Sequence, residues 1–117
     1  TASVNHVAFN RPVPLGSVVT VEAAVSRAFN TSMEVYIDVW MEDRVSGARL
    51  KANEAIYTFV AVDESGAPTV VPELLPETDL EKSRYDAALR RKQLSLVLAG
   101  RMNPQDATEL KALFMAP

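Results

Sequence analysis

The sequence predicts an α+β domain in which an antiparallel sheet is followed by a C-terminal helix. Three long segments of the first half alternate apolar and polar residues with a period of two, which is typical of half-buried strands. No helical pattern occurs before Thr78, where Thr78-Asp79-Leu80-Glu81 forms a capping box. The order along the chain is therefore four strands and then helix.

The predicted strands span residues 3–9, 18–27, 33–42 and 50–62. The second and third pair as antiparallel neighbours, and the fourth is apolar on both faces over residues 55–62, as a central strand covered on both sides would be. The proline-containing segment 11–16 connects strands, since a sheet interior excludes proline. A helix runs from Thr78 to about Ala99 and is ended by Gly100. Asn103-Pro104 begins a second short helix that ends near Met115.

The length of 117 residues predicts one domain. We assign residues 1–77 to the sheet portion, 78–100 to a C-terminal helix of the same domain and 101–117 to a helical tail. A strand that is apolar on both faces needs cover on both, and one helix covers at most one face. We expect a second copy of the chain, or a helix upstream of residue 1, to cover the other face.

The composition excludes several classes of function. A net charge of −3 and a pI near 5.1 argue against a nucleic-acid-binding protein, which needs a basic face. The absence of cysteine excludes disulfides, thiolate chemistry and cysteine-based zinc sites. No apolar run approaches the roughly 20 residues of a membrane span, and no spacing indicates a metal site. These features predict a cytoplasmic protein.

The connection between the second and third strands is the first candidate site. The stretch RAFNTSMEV, residues 27–35, lacks glycine and the Asn-Gly or Asp-Gly pairs of ordinary tight hairpins. One interpretation is a wall for a ligand, to which backbone amides and hydroxyl groups donate hydrogen bonds. The other is a loop in which Thr31 and Ser32 merely satisfy local backbone groups.

Other polar residues are weaker candidates. His6 has no partnered nucleophile in the sequence, so an ordinary hydrogen-bonded histidine is favoured over a catalytic base. Glu54 lies between Ala52 and Ile56 on an otherwise apolar face, and we expect it to pair across an interface or to stay partly exposed. Trp40 is expected to meet a helix, a neighbouring subunit or a ligand. Three carboxylates share the polar side of one strand, where a solvated or interface-lining face is expected: Glu34, Asp38 and Glu42.

Several stretches together resemble the acyl-CoA thioesterases of the hotdog fold. They are Thr1-Ala2-Ser3-Val4 entering a strand, Phe9-x-x-Pro12-x-x-x-Gly16, and Arg27-Ala28-Phe29-Asn30-Thr31-Ser32-Met33-Glu34. The segments 57–63, 70–72 and 90–92 fit the same family. The resemblance covers about residues 1–92, and its most specific part is Thr-Ser-Met after a strand that ends Arg-Ala-Phe.

The resemblance implies a long helix wrapped by an antiparallel sheet, and hydrolysis of fatty acyl-CoA to fatty acid and CoA at a dimer interface. It implies homodimers assembled as trimers of dimers, that is, hexamers. It implies no cofactor beyond the CoA of the substrate. The positions that match CoA-associated parts of the family are Ala2, Ser3 and Val4 at the strand opening, Thr31, Ser32 and Met33 in the connection, and Lys92, whose charge suits a phosphate.

The sequence differs from the family in the segment that holds the family's catalytic carboxylate. The family's catalytic carboxylate lies near the start of the central helix, in a glycine-rich segment ahead of the strand that begins here at Ala2, and this chain contains no Gly-Gly pair. We therefore name no catalytic residue, and expect the opening strand and catalytic helix to lie outside the chain or to come from another polypeptide. The alternative is a non-catalytic acyl-CoA-binding or oligomerisation domain, and a related hotdog dehydratase is a weaker third reading.

Overall fold

The computed structural model describes residues 3–108, without the side chains of Ser3, Asn5, His6 and Phe9. The chain divides into two compact units, Thr1–Leu74 and Leu75–Pro117. The first contains the sheet and the second contains the helix, so the predicted order of strands before helix is confirmed. The tail helix expected to end near Met115 lies mostly outside the described residues.

The first unit is a four-stranded antiparallel sheet. Its strands are β1 (Ser3–Phe9), β2 (Val18–Ala28), β3 (Ser32–Glu42) and β4 (Arg49–Val60), arranged in the order β1-β4-β3-β2. The prediction that the fourth strand is central is confirmed, because β4 pairs with both β1 and β3. The sheet matches the antiparallel sheet that the resemblance implies.

One face of the sheet is apolar from edge to edge. Cross-strand pairing places side chains of paired residues on the same side, so the pairs Val21–Val39, Val35–Tyr57 and Val4–Tyr57 share this face. Val4 and Val21 keep 52% and 61% of their surface exposed. Within the described residues, the apolar face is therefore only partly covered.

The opposite face carries the polar side chains of β3, and part of it is buried. Glu34 is 2% exposed and Asp38 is 7% exposed, whereas Glu42 is exposed. Of the two expectations for these carboxylates, a solvated face does not hold for Glu34 and Asp38, and an interface-lining face stays a prediction. Alternation identified the face on which these carboxylates lie, but alternation carries no information on how deeply a face is covered.

Three β-bulges interrupt the register of the sheet. They lie between Val4 and His6 in β1, between Val25 and Arg27 in β2, and opposite the Val39–Trp40 step in β4. A bulge places two residues of one strand against one residue of its neighbour and increases the local twist. Each bulge therefore changes which side chains meet on a face.

The second unit begins with the predicted capping box. The helix α1 spans Asp79–Leu98, and Thr78 and Glu81 exchange side-chain-to-backbone hydrogen bonds of 3.1 Å. Gly100 lies beyond the helix end with a φ of 72°, as predicted for a helix terminator. Pro104–Asp106 form a 3-10 turn capped by Asn103. No helix in the described part of the chain is long and apolar enough to cross a membrane.

Candidate functional site

The starts of β1 and β3 lie at the same end of the sheet, on either side of β4. Ser3 of β1 and Glu34 of β3 both pair with Thr58, and Val4 and Val35 both pair with Tyr57. Adjacent strands are about 4.8 Å apart, so the backbones of these two strand openings are separated by roughly 10 Å. The fold thus brings together two segments that are far apart in the sequence and that the resemblance associates with CoA.

The connection between β2 and β3 is tighter than predicted. The ladder runs on past Ala28 and Met33, and the Phe29 N–H donates to the Ser32 carbonyl at 2.8 Å, so Asn30 and Thr31 alone form the turn. No residue of the connection has a positive φ, so the turn is not the glycine-favouring type I′. The connection is therefore a short turn that forms without the Asn-Gly or Asp-Gly pair of ordinary tight hairpins.

Backbone hydrogen bonds anchor the turn to the chain that follows β4. The Ala61 N–H donates to the Thr31 carbonyl at 2.8 Å, and the Val71 N–H donates to the Asn30 carbonyl at 3.0 Å. Thr69 in turn donates its N–H to the Ala61 carbonyl at 2.9 Å. The two turn carbonyls are therefore both bonded within the unit, which holds the turn in one position.

The connection carries two hydroxyl side chains, those of Thr31 and Ser32. Thr31 is half-buried and Ser32 is 8% exposed. Neither hydroxyl has a hydrogen-bond partner within residues 3–108.

A buried hydrogen bond joins β2 and β3 next to the connection. Ser26 Oγ lies 2.6 Å from Glu34 Oε1 and 3.1 Å from the Glu34 carbonyl oxygen, and both residues are at most 5% exposed. Ser26 lies in the bulge of β2, where Ser26 and Arg27 together oppose Glu34. The sequence placed Ser26 and Glu34 on polar faces but gave no signal for the bulge that brings their side chains together.

Lys51 binds two carboxylates further along the same face. Its Nζ lies 2.8 Å from Asp38 Oδ1 and 2.7 Å from Glu54 Oε2, and Tyr36 donates its hydroxyl to Glu54 Oε2 at 3.1 Å. The hydrogen bonds to Asp38 and then to Glu54 raise the pKa of Lys51 above its ordinary value. Glu54, weighed above as an interface or partly exposed carboxylate, is thus held in an intramolecular ion pair. Nothing in this arrangement indicates a catalytic base.

Trp40 packs beneath two cations of β4. The Arg49 guanidinium lies 4.6 Å from its ring centroid, and Lys51 Nζ lies 6.0 Å away. Both distances suit cation–π contacts. The partner that the sequence could not specify for Trp40 is therefore, at least in part, the neighbouring strand.

A cleft of about 230 Å³ lies at the other end of the sheet. It is lined by residues 14–17 before β2, by residues 41–44 at the end of β3 and by Leu50. Met41 lies nine positions after Ser32 along β3, which places the cleft up to about 30 Å from the connection. None of the predicted CoA-associated residues lines this cleft.

Comparison with known proteins identifies the family. The family model of the Thioesterase superfamily matches residues 1–48. A solved structure of an acyl-CoA hydrolase mutant from Staphylococcus aureus in complex with coenzyme A is 32% identical, with a TM-score of 0.79, and the match covers 99% of this chain and 67% of that one. The chain belongs to the hotdog-fold acyl-CoA thioesterases.

Three further proteins are similar to this chain. An apo-hexameric acyl-CoA thioesterase of known structure is 38% identical with a TM-score of 0.80, over 85% of this chain and 64% of that one. Protein VdlD of Helicobacter pylori is 40% identical over 80% of this chain, and the cytosolic acyl coenzyme A thioester hydrolase of Rattus norvegicus is 32% identical over 90%. This chain spans 53% of the former and 28% of the latter.

The other residues singled out from the sequence lie in the second unit or have side chains outside the described part of the chain. Lys92 lies on α1 in the second unit. Ala2 and the side chains of Ser3 and His6 lie outside the described part of the chain. Among the described residues, no group of three or more histidine, aspartate or glutamate side chains could hold a metal ion.

Proposed function

We propose that this chain is part of an acyl-CoA hydrolase that converts fatty acyl-CoA to free fatty acid and CoA. The observation that carries the proposal is the match over 99% of the chain to a hydrolase whose solved structure contains coenzyme A. Hydrolysis adds water across the thioester: the water oxygen bonds to the carbonyl carbon, the carbon–sulfur bond breaks, and the CoA thiolate takes up a proton. No metal or further cofactor is part of the proposal.

The CoA moiety is proposed to bind along the end of the sheet where β1 and β3 begin. The shared pairing of both strand openings with Thr58 and Tyr57 supports a single binding surface there. Pantetheine carries amide groups that can accept hydrogen bonds from hydroxyls, and Thr31 and Ser32 supply such donors. The residues proposed to contact CoA are Ala2, Ser3, Val4, Thr31, Ser32, Met33 and Lys92.

The assembly proposed for the protein is a homodimer, with three dimers forming a hexamer. Two observations support this assembly. One similar solved structure is described as hexameric. On the apolar face of the sheet, Val4 and Val21 are more than half exposed within the described residues. Large exposed apolar surfaces mark interaction sites. A cytoplasmic location is proposed from the relative described as a cytosolic hydrolase.

No catalytic residue is proposed among the 117 residues. In the enzyme, a carboxylate would activate water for attack on the thioester carbonyl, and a helix N-terminus would polarise the carbonyl oxygen. The described residues are proposed to supply part of the CoA-binding surface, and the carboxylates of Glu34, Asp38 and Glu54 are engaged with Ser26 or Lys51.

The proposal is tested by measuring free CoA thiol released from a short and a long acyl-CoA, with CoA binding measured by calorimetry on the same sample. Binding with slow or no thiol release by the chain itself is expected, and a longer natural protein containing the chain should release thiol. Binding by both without release by either would favour the non-catalytic acyl-CoA-binding or oligomerisation domain. A chain that is folded and binds no CoA would contradict the proposal.

A further inference from the structure

A buried serine–carboxylate pair lies directly beside the connection proposed to contact CoA. Ser26 and Glu34 are 5% and 2% exposed, and their 2.6 Å separation lies in the short range of hydroxyl-to-carboxylate hydrogen bonds. Glu34 is two residues after Ser32 on the same strand and the same face. The pair therefore joins β2 and β3 at the end of the hairpin that lies next to the turn.

A carboxylate in this position needs a reason beyond packing. Removing a charged group from water costs free energy unless hydrogen bonds compensate it, and an apolar side chain of similar size would serve packing alone. A charge-assisted hydrogen bond, in contrast, is directional and fixes the two atoms that it joins. Here it fixes Ser26, the residue that the β2 bulge inserts opposite Glu34. Because a bulge increases the local twist of its strand, the bond fixes the direction in which β2 approaches the turn.

The other side of the hairpin end is held by different contacts. The turn carbonyls of Asn30 and Thr31 accept hydrogen bonds from Val71 and Ala61. Two sets of contacts therefore hold the turn: the Ser26–Glu34 side-chain hydrogen bond between β2 and β3, and the backbone hydrogen bonds from Ala61 and Val71. Between these two anchors lie the hydroxyls of Thr31 and Ser32.

We propose that Ser26 and Glu34 are positioning residues for CoA binding: the Ser26 Oγ–Glu34 Oε1 hydrogen bond holds the β2 bulge so that the hydroxyls of Thr31 and Ser32 are presented in one fixed arrangement. This inference rests on the proposed CoA contact of the connection. A binding surface that is held in place before the ligand arrives avoids the entropic cost of ordering it. Neither residue is proposed to touch the ligand.

The test compares CoA affinities of matched variants by calorimetry on the full chain, under conditions where urea titration shows each variant to be folded. Ser26→Ala is expected to weaken CoA binding about tenfold, which corresponds to about 1.4 kcal/mol. Ser26→Thr keeps a hydroxyl and is expected to restore most of the affinity. The control is Glu22→Gln, which removes an exposed ion pair between the middle of β2 and Arg49 of β4 and should leave CoA affinity unchanged.

Amide chemical shifts distinguish positioning from a stability effect alone. Ser26→Ala should move the amide resonances of Thr31 and Ser32 in the absence of CoA, and Glu22→Gln should not. If Ser26→Ala does not fold, Glu34→Gln provides the test, since it keeps the shape and an acceptor oxygen while removing the charge; a several-fold loss of affinity is expected. Wild-type affinity in a folded variant of either residue would overturn the inference. Wild-type protein that binds no CoA would instead overturn the proposed function itself.

Discussion

Replacement of Lys51 by methionine perturbs a partly buried cluster of three charged side chains in the sheet. Lys51 is the cation between Asp38 and Glu54, at 2.8 Å and 2.7 Å, and the Asp38 side chain is only 10% exposed. Methionine retains a similar unbranched length and removes the charge. Lys51→Met therefore leaves two carboxylates close together without the ammonium group that they share.

The expected loss of stability follows from these distances and exposures. Two unit charges 2.8 Å apart attract by about 6 kcal/mol at an effective dielectric of about 20, and desolvation offsets much of this. Removing one partner of a fully buried pair costs about 3–5 kcal/mol. Because the Lys51 side chain is 30% exposed and that of Glu54 is 24% exposed, water can partly solvate the remaining charges. We therefore expect a loss of about 2–3 kcal/mol for Lys51→Met.

Urea unfolding monitored by the fluorescence of Trp40, the single tryptophan, measures this loss within the sheet. With a slope of about 1–2 kcal/mol per molar urea, the midpoint should fall by about 1–3 M. Glu22→Gln is the matched control, since its ion pair with Arg49 is half exposed and such pairs contribute less than about 1 kcal/mol. Equal, small midpoint shifts for the two variants would show that burial does not increase the contribution of the Lys51 ion pairs to the free energy of unfolding.

Three further outcomes are expected. First, the raised pKa of Lys51 means that its ion pairs stabilise the fold fully below its ordinary pKa of 10.5 and are lost as the pH rises through the raised value; the stability difference between wild type and Lys51→Met should therefore shrink at high pH. Second, Thr78→Ala should cost about 1 kcal/mol at the start of α1, seen as faster amide exchange in its first turn. The pKa of Glu81 is lowered chiefly by its hydrogen bond from the Thr78 backbone, so the capping box should weaken as the pH falls through that lowered pKa, which NMR titration can follow. Third, Thr31→Asp should weaken CoA binding about tenfold by repelling the phosphates, whereas the uncharged Thr31→Asn should have a smaller effect in the same calorimetric assay.

Most of the fold could be predicted because the strands follow the alternation rule over long stretches. The third predicted strand, 33–42, differs from the observed Ser32–Glu42 by one residue, and the capping box placed the start of α1 correctly. The fourth strand was predicted to reach Val62 but ends at Val60. Its apolar pattern continues, but Ala61 bonds to the β2–β3 turn and Val62 bridges to Pro68, so the chain there has left the β3 ladder.

The side-chain contacts of the candidate site were harder to predict, because β-bulges determine which side chains lie on the same face. Lys51 and Glu54 are three residues apart, and in a regular strand they would point to opposite faces. The bulge in β4 shifts the register by one residue at Trp40 and brings Lys51 onto the face of Asp38 and Glu54. The Ser26–Glu34 contact depends on the bulge in β2 in the same way. Local sequence does not mark the position of a bulge, so the face of each carboxylate was predictable and its partner was not.

The most direct test of the account is an NMR titration of the isotopically labelled chain with CoA. Saturable changes are expected at the two strand openings and the turn, in the amides of Val4 and residues 31–33. The cleft at the opposite end of the sheet provides the built-in comparison, since it lies up to about 30 Å away. Saturable changes confined to Gly16, Asp43 and Arg44, with residues 31–33 unmoved, would contradict the assignment of the CoA site.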